Sequence, residues 1–153
     1  ALSQLRSLSP RFIPARTAEQ KLGLNGASYE LVAALTVVTA YFSEKSQWDA
    51  IAAHQETLQS ALLDYLASKG DGVTVWGERS ADPTIRVPTV SFTVKGWSSR
   101  ELVEAVERVN PRLGIRSGSF YSIRLVREVL GLDPVDGVVR VSIVHYNTGE
   151  FSP

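Results

Sequence analysis

The stretch VVRVSIVHYNTGE, residues 138 to 150, holds the residue with the plainest chemical use. Val138, Val139, Val141, Ile143 and Val144 form a dense β-branched run that reads as a strand. Arg140 stands in its middle, and a guanidinium does not shed its charge in a protein. On an alternating strand it shares a face with Val138, Ser142 and Val144, while Val139, Val141 and Ile143 point the other way. Both faces are mostly apolar, so both are expected to be covered. A covered, unpaired charge is costly, so Arg140 must meet an anion. One candidate is a side-chain carboxylate, from Asp133, Asp136 or a helix, in an internal ion pair. The other is a ligand carboxylate held by both arms of the guanidinium.

A second cluster is RLGIRSGSFYS, where Arg112 and Arg116 flank a Gly/Ser turn that enters a helix. Such a turn presents free N–H groups and can hold an anion; helix capping by Ser117 or Ser119 is the competing use. LNGASYE is a third loop-to-helix junction of this kind, with Asn25-Gly26 its strongest turn signal. His54 and His145 are the only histidines. His54 falls on an amphipathic helix as a surface or boundary residue, and no His pair has metal-ligand spacing. No Ser/His/Asp set suggests a hydrolase. Trp48, Trp76 and Trp97 read as core or rim residues. Asn147 or Thr148 is the expected N-cap of a helix that the sequence does not complete.

The elements that must position these residues follow from patterning over 153 residues, of which 44% are hydrophobic and 21% charged. That is an ordinary globular composition with enough chain for one core. Sixteen basic and sixteen acidic residues cancel, which gives no electrostatic case for nucleic acid or an anionic membrane surface. The absence of cysteine excludes disulfides, thiolate metal sites and a cysteine nucleophile in this chain, and fits a cytoplasmic protein. LVAALTVVTAYF is too short for a membrane span. ALSQLRSLSPRF lacks a signal-peptide layout, and the missing initiator Met and the ending GEFSP both read as cut ends.

SPRFIPAR is Pro-punctuated and extended. ASYELVAALTVVTAYF is apolar nearly all round and reads as a buried helix. Residues 46 to 69 form an amphipathic helix, with Ser46 and Asp49 as its capping pair, Trp48, Ile51, Leu58, Leu62, Tyr65 and Leu66 on its apolar stripe, and Gly70 as its stop. VTVW is a short strand, and VPTVSFTVKG alternates with Val90, Phe92 and Val94 on one face. Ser98 and Glu101 make a capping box for a helix carrying Leu102, Val106 and Val109. IRSGS is a short strand or loop. FYSIRLVREVLGL reads as a helix with Ile123, Val126 and Leu130 on one stripe, closed by Gly131. This order predicts an α/β fold: a two-layer sandwich, with a small, mostly antiparallel sheet and helices on one face.

Three of these blocks resemble a known family. GVVRVSIVHYNTGE resembles the carboxy-terminal signature of class V aminotransferases, the fold-type I pyridoxal-phosphate enzymes that include cysteine desulfurases. GIRSGSFYSIRLVREVLGL resembles the segment that precedes it there. KLGLNGASYELVAAL is similar to the family's phosphate loop and the helix joining its two domains. The resemblance implies that residues 1–45 are an extended segment and interdomain helix leading from a large domain, and that 46–153 are the small C-terminal domain. It implies that Arg140 binds the substrate carboxylate, that Arg116 stands beside the active-site loop with Tyr121 lining it, and that Asn25 and Gly26 reach the cofactor phosphate of a neighbouring subunit. The implied cofactor is pyridoxal 5'-phosphate, the implied ligand an amino-acid-like small molecule, and the implied assembly a homodimer without nucleic acid or membrane.

The departures are informative too. Desulfurases carry their nucleophilic Cys where this chain has Tyr121, so sulfur transfer through a persulfide at that position is excluded. SFYS resembles instead a desulfurase-like subgroup. Gly23 and Asn25 stand where the phosphate loop of the family has Glu and Gly. The lysines are Lys21, Lys45, Lys69 and Lys95, and none has the His-Lys context of the family's cofactor-bearing lysine. On this reading the residues are part of a lyase or transaminase acting on an amino acid, with no catalytic residue of their own, and the chain alone is inactive. Lyase chemistry is slightly favoured by family analogy alone. The alternative is a non-enzymatic α/β module with Arg140 in an internal ion pair.

Overall fold

The computed structural model describes residues 28–149. They fall into two compact units that divide between Lys45 and Ser46. The first contributes one described helix, α1 (Tyr29–Tyr41). Ser28 caps it, its Oγ accepting from the Leu31 N–H at 3.3 Å. None of its residues is buried; Leu31 is 70% and Val37 69% exposed. The expectation of a buried helix is therefore corrected.

In the second unit, α2 (Lys45–Ala67) is followed by a 3₁₀ turn (Gly70–Gly72), β1 (Val73–Trp76), β2 (Thr89–Val94), α3 (Ser99–Val109), β3 (Arg116–Gly118), a five-residue π-helical turn (Leu125–Val129) and β4 (Val138–Ser142). The four strands form one antiparallel sheet in the order β1-β2-β4-β3. The alternation in β2 decides its two faces. Val90 and Phe92 are buried with Val139 of β4, and they pack with Leu63 and Leu66 of α2 and Val103 of α3. One sheet face is thus the core and both helices lie against it, as the two-layer reading expects.

Local signals fix several element ends. The Ser98 hydroxyl accepts from Glu101 N–H at 3.1 Å, and the Glu101 carboxylate accepts from Ser98 N–H at 3.3 Å, which closes the capping box of α3. Asp136 adds to that end, accepting from Ser99 N–H at 2.9 Å and Arg100 N–H at 3.4 Å. Helix α2 already includes Ser46, so the Ser46/Asp49 cap is corrected. Its buried residues are Leu58, Gln59, Leu63 and Leu66, whereas Trp48 and Tyr65 are exposed. In α3 the expected Leu102 and Val106 pack against the core beside the buried Val103, and only Val109 departs from the expected stripe, being exposed.

The segment after β3 departs most. A regular helix closed by Gly131 is expected; the chain instead makes a short turn in which Leu130 N–H bonds the Leu125 carbonyl at 3.0 Å, five residues back. Only Val126 of its apolar residues is fully buried, and Ile123 is half exposed. Asn147 is not seen as a helix N-cap: its Oδ1 accepts from Val144 N–H at 2.7 Å, upstream of itself. His54 is exposed on α2, as expected, and its Nε2 lies 2.8 Å from the Asn147 carbonyl oxygen.

Candidate functional site

Register places Arg140 at the centre of the sheet face away from the helices. It pairs with Ser91 of β2 on one side and with Arg116 of β3 on the other, and Ser91 in turn pairs with Trp76 of β1. Residues opposite each other in antiparallel strands share a face. A row of Trp76, Ser91, Arg140 and Arg116 therefore crosses the sheet. The expectation of two apolar, covered faces is corrected here: the second face is polar along this row, and Arg140 is half-buried on it.

Among the described residues no carboxylate or carbonyl oxygen lies within ion-pair or hydrogen-bonding distance of the Arg140 guanidinium. The carboxylates proposed for it from sequence are in use elsewhere. Asp136 caps α3, and Asp133 accepts from Val135 N–H at 2.9 Å. The contact Arg140 does make is with an aromatic ring: its Cζ lies 3.9 Å from the centroid of Phe120. Arg116 is more exposed and makes a loose ion pair with Glu107 of α3 at 3.7 Å, a surface contact of small energy.

Phe120 reaches Arg140 through an unusual turn. Phe120 has φ 46° and Tyr121 φ 63°, two consecutive side-chain-bearing residues in the left-handed region. Each such residue costs on the order of 1–3 kcal/mol. The turn is closed by Ser122 N–H donating to the Ser119 carbonyl at 2.8 Å, and Ser119 Oγ donates to the Pro134 carbonyl. Behind it, Gly137 and Gly118 form an isolated bridge. Gly137 has φ 68°, and a Cβ there would run into the Gly118 backbone. The Ser117/Ser119 capping expectation is corrected as well: Ser117 lies in β3, and Ser119 ties the turn to the loop before β4.

The row adjoins an open cavity of about 560 Å³ at its Trp76 end, lined also by Ile85, Arg86, Val87 and Thr89. Arg86 is a second half-buried guanidinium, which the sequence does not single out. Its Nη1 donates to the Glu78 carbonyl at 2.5 Å and to the Ser80 carbonyl at 3.5 Å. Nη2 donates to the Thr89 carbonyl at 2.6 Å, and Nε to the Val87 carbonyl at 3.3 Å. In the same loop the Ser80 and Arg79 N–H groups hold the Glu78 carboxyl below the usual Glu range. The Thr84 hydroxyl and N–H do the same for Asp82.

Of the residues assigned by resemblance, the structure brings Arg140 and Arg116 side by side. Tyr121 is fully exposed on the turn beside Phe120. Asn25 and Gly26 lie outside the described residues. Phe120 and Ser91 complete the arrangement; Phe120 was legible only as part of the SFYS block, and nothing in its type announces a left-handed turn. No helix among the described residues is long and apolar enough to cross a membrane. No group of three or more His, Cys, Asp or Glu among them could hold a metal. The arrangement suits a planar anion with two oxygens. It does not by itself make a pyridoxal-phosphate site. Lys69 stacks over Tyr65 at 4.4 Å beyond α2, and Lys95 lies past the end of β2, four residues from Ser91.

Comparison with known proteins places this small antiparallel sheet, with helices on one face, in a family. The profile described as Aminotransferase class-V matches residues 19–150, and the chain belongs to that family. It is 55% identical over 152 residues to Aminotransferase-like protein FGM3 of Gibberella zeae, covering 98% of this chain and 37% of that protein. It is 36% identical over 146 residues to Cysteine desulfurase-like protein ustD of Aspergillus flavus, covering 95% of this chain and 33% of that protein. The fold is similar to that of the cysteine desulfurase CsdA from Escherichia coli, with a TM-score of 0.63 at 19% identity, over 84% of this chain and 29% of that one. The chain thus spans about a third of the length of these relatives.

Proposed function

We propose that residues 46–153 are the small C-terminal domain of a pyridoxal-phosphate-dependent enzyme acting on an amino acid, and that residues 1–45 lead into it from a large domain. The cofactor, when bound, serves as an electron sink for the amino acid's α-carbon. The lysine and carboxylate that hold it belong, on this proposal, to residues outside these 153. What this chain adds is orientation. Arg140 takes the substrate carboxylate in a two-pronged grip, which fixes which bond at the α-carbon faces the chemistry. Arg116 and Tyr121 border the same place, and Asn25 and Gly26 serve the cofactor phosphate of a second subunit in a cytoplasmic homodimer. Lyase chemistry is favoured over transamination on family analogy.

The observation that carries this reading is the Arg140 guanidinium on an open polar face, with no carboxylate near it among the described residues. A structural ion pair, the alternative, has no partner there. The test is Arg140→Lys in the full-length enzyme. A point charge replaces a planar fork, and one charge-assisted hydrogen bond is worth about 1.5–3 kcal/mol. KM for an amino-acid substrate should rise about 10- to 100-fold; an unchanged KM would rule out the carboxylate role.

A further inference from the structure

We propose that Phe120 is a positioning residue for Arg140, holding the guanidinium plane by its face so that its N–H edges stay free for a ligand carboxylate. The inference deepens the reading of Arg140 as carboxylate anchor and rests on it.

Three observations converge. The ring centroid is 3.9 Å from Arg140 Cζ, and no oxygen acceptor among the described residues competes for the guanidinium. A ring over the face of a guanidinium restricts its tilt without using any of its five N–H donors, which lie in the plane. Holding the same side chain with a carboxylate would consume the fork that a ligand needs. The backbone also keeps the ring there against its own preference. Phe120 and Tyr121 both adopt left-handed φ, a region that disfavours their side chains. The turn is held from outside by Ser119 on the Pro134 carbonyl and by the bridge between Gly118 and Gly137. If the turn served only to link β3 to the next segment, Asn or Gly would meet its backbone demand better than Phe. The ring is what the strain maintains.

That strain makes the test sharp, because stability and binding should part company. Asn tolerates left-handed backbone, so Phe120→Asn removes the ring while easing the turn. The probe is propionate, a carboxylate with no amino group, titrated onto the full-length enzyme by saturation-transfer NMR beside a thermal melt. Phe120→Asn should weaken propionate binding about three- to tenfold, with the melting temperature unchanged or higher. Phe120→Leu, of similar size, should show the same loss, and Phe120→Tyr should stay within about twofold of the parent. Should Arg140→Lys lose affinity while Phe120→Asn and Phe120→Leu bind as the parent does, the anchor stands and the positioning role is wrong. If Arg140→Lys also binds unchanged, the anchor itself is wrong. A loss in Phe120→Asn matched by a lower melting temperature and not rescued in Phe120→Tyr would leave only a packing role, which also overturns the proposal.

Discussion

Arg86, in the loop between β1 and β2, and Arg140, in β4, are both half-buried guanidiniums, and their surroundings are opposite. Arg86 is saturated by four backbone carbonyls and serves as a clamp on the loop between β1 and β2. Arg140 touches an aromatic face and keeps its donors unspent among the described residues. A donor already satisfied inside the fold contributes to stability. One left without an acceptor costs free energy until something arrives to bind it. The contrast separates an arginine that shapes the protein from one held ready for a ligand.

Substitutions can break or sharpen that contrast. The largest effect is expected from Gly137→Ala, which drives a methyl group into the Gly118 backbone at φ 68° and so displaces the turn that carries Phe120. It should cost about 2–4 kcal/mol, read as faster amide exchange at Val138 and Val139. Next is Arg86→Met, which strips the Glu78 and Thr89 carbonyls of their donor. A loss of about 1–3 kcal/mol is expected, seen as loosened exchange across residues 77–89 with propionate affinity intact. Arg140→Met should do the reverse: abolish propionate binding while changing stability by less than about 1 kcal/mol, since only the ring contact with Phe120 is lost. Equal destabilisation by the two Met variants would erase the distinction. Tyr121→Cys should release no sulfide from cysteine above the parent level, because position 121 is fully exposed on its left-handed turn; robust release would contradict this.

The smallest effect is in pH. The Glu78 and Asp82 carboxyls titrate below their ordinary values in the fold, so they bind fewer protons folded than unfolded. Their contribution is complete above about pH 5 and fades as acid takes the pH through the lowered values. Chemical shifts of loop residues 78–84 should move only as the pH falls below the ordinary carboxylate range; movement within that range would contradict the lowered values.

What the sequence makes legible follows from how local each signal is. The Ser98/Glu101 box and the alternation of Val90 and Phe92 depend on near neighbours and the two-sided sheet, and both read directly. Arg140 stands out because a charge in a β-branched run is conspicuous. Its face is misjudged because cross-strand register, which brings in Ser91 and Arg116, is not local. Helix α1 is misread because an all-apolar sequence says that cover is needed and not where it comes from. The π-helical turn and the left-handed Phe120-Tyr121 pair are imposed by tertiary fastening at Pro134 and Gly137. Arg86 escapes notice for the same reason: its partners are main-chain atoms, which have no letter in a sequence.

That last property has a practical side. A clamp that reads only peptide oxygens is blind to the side chains it gathers. The exposed positions 83 and 85 at the tip can therefore be varied in a library, new recognition chemistry installed beside Trp76, and the loop's shape retained so long as that guanidinium and the Asp82–Thr84 bonds are left untouched.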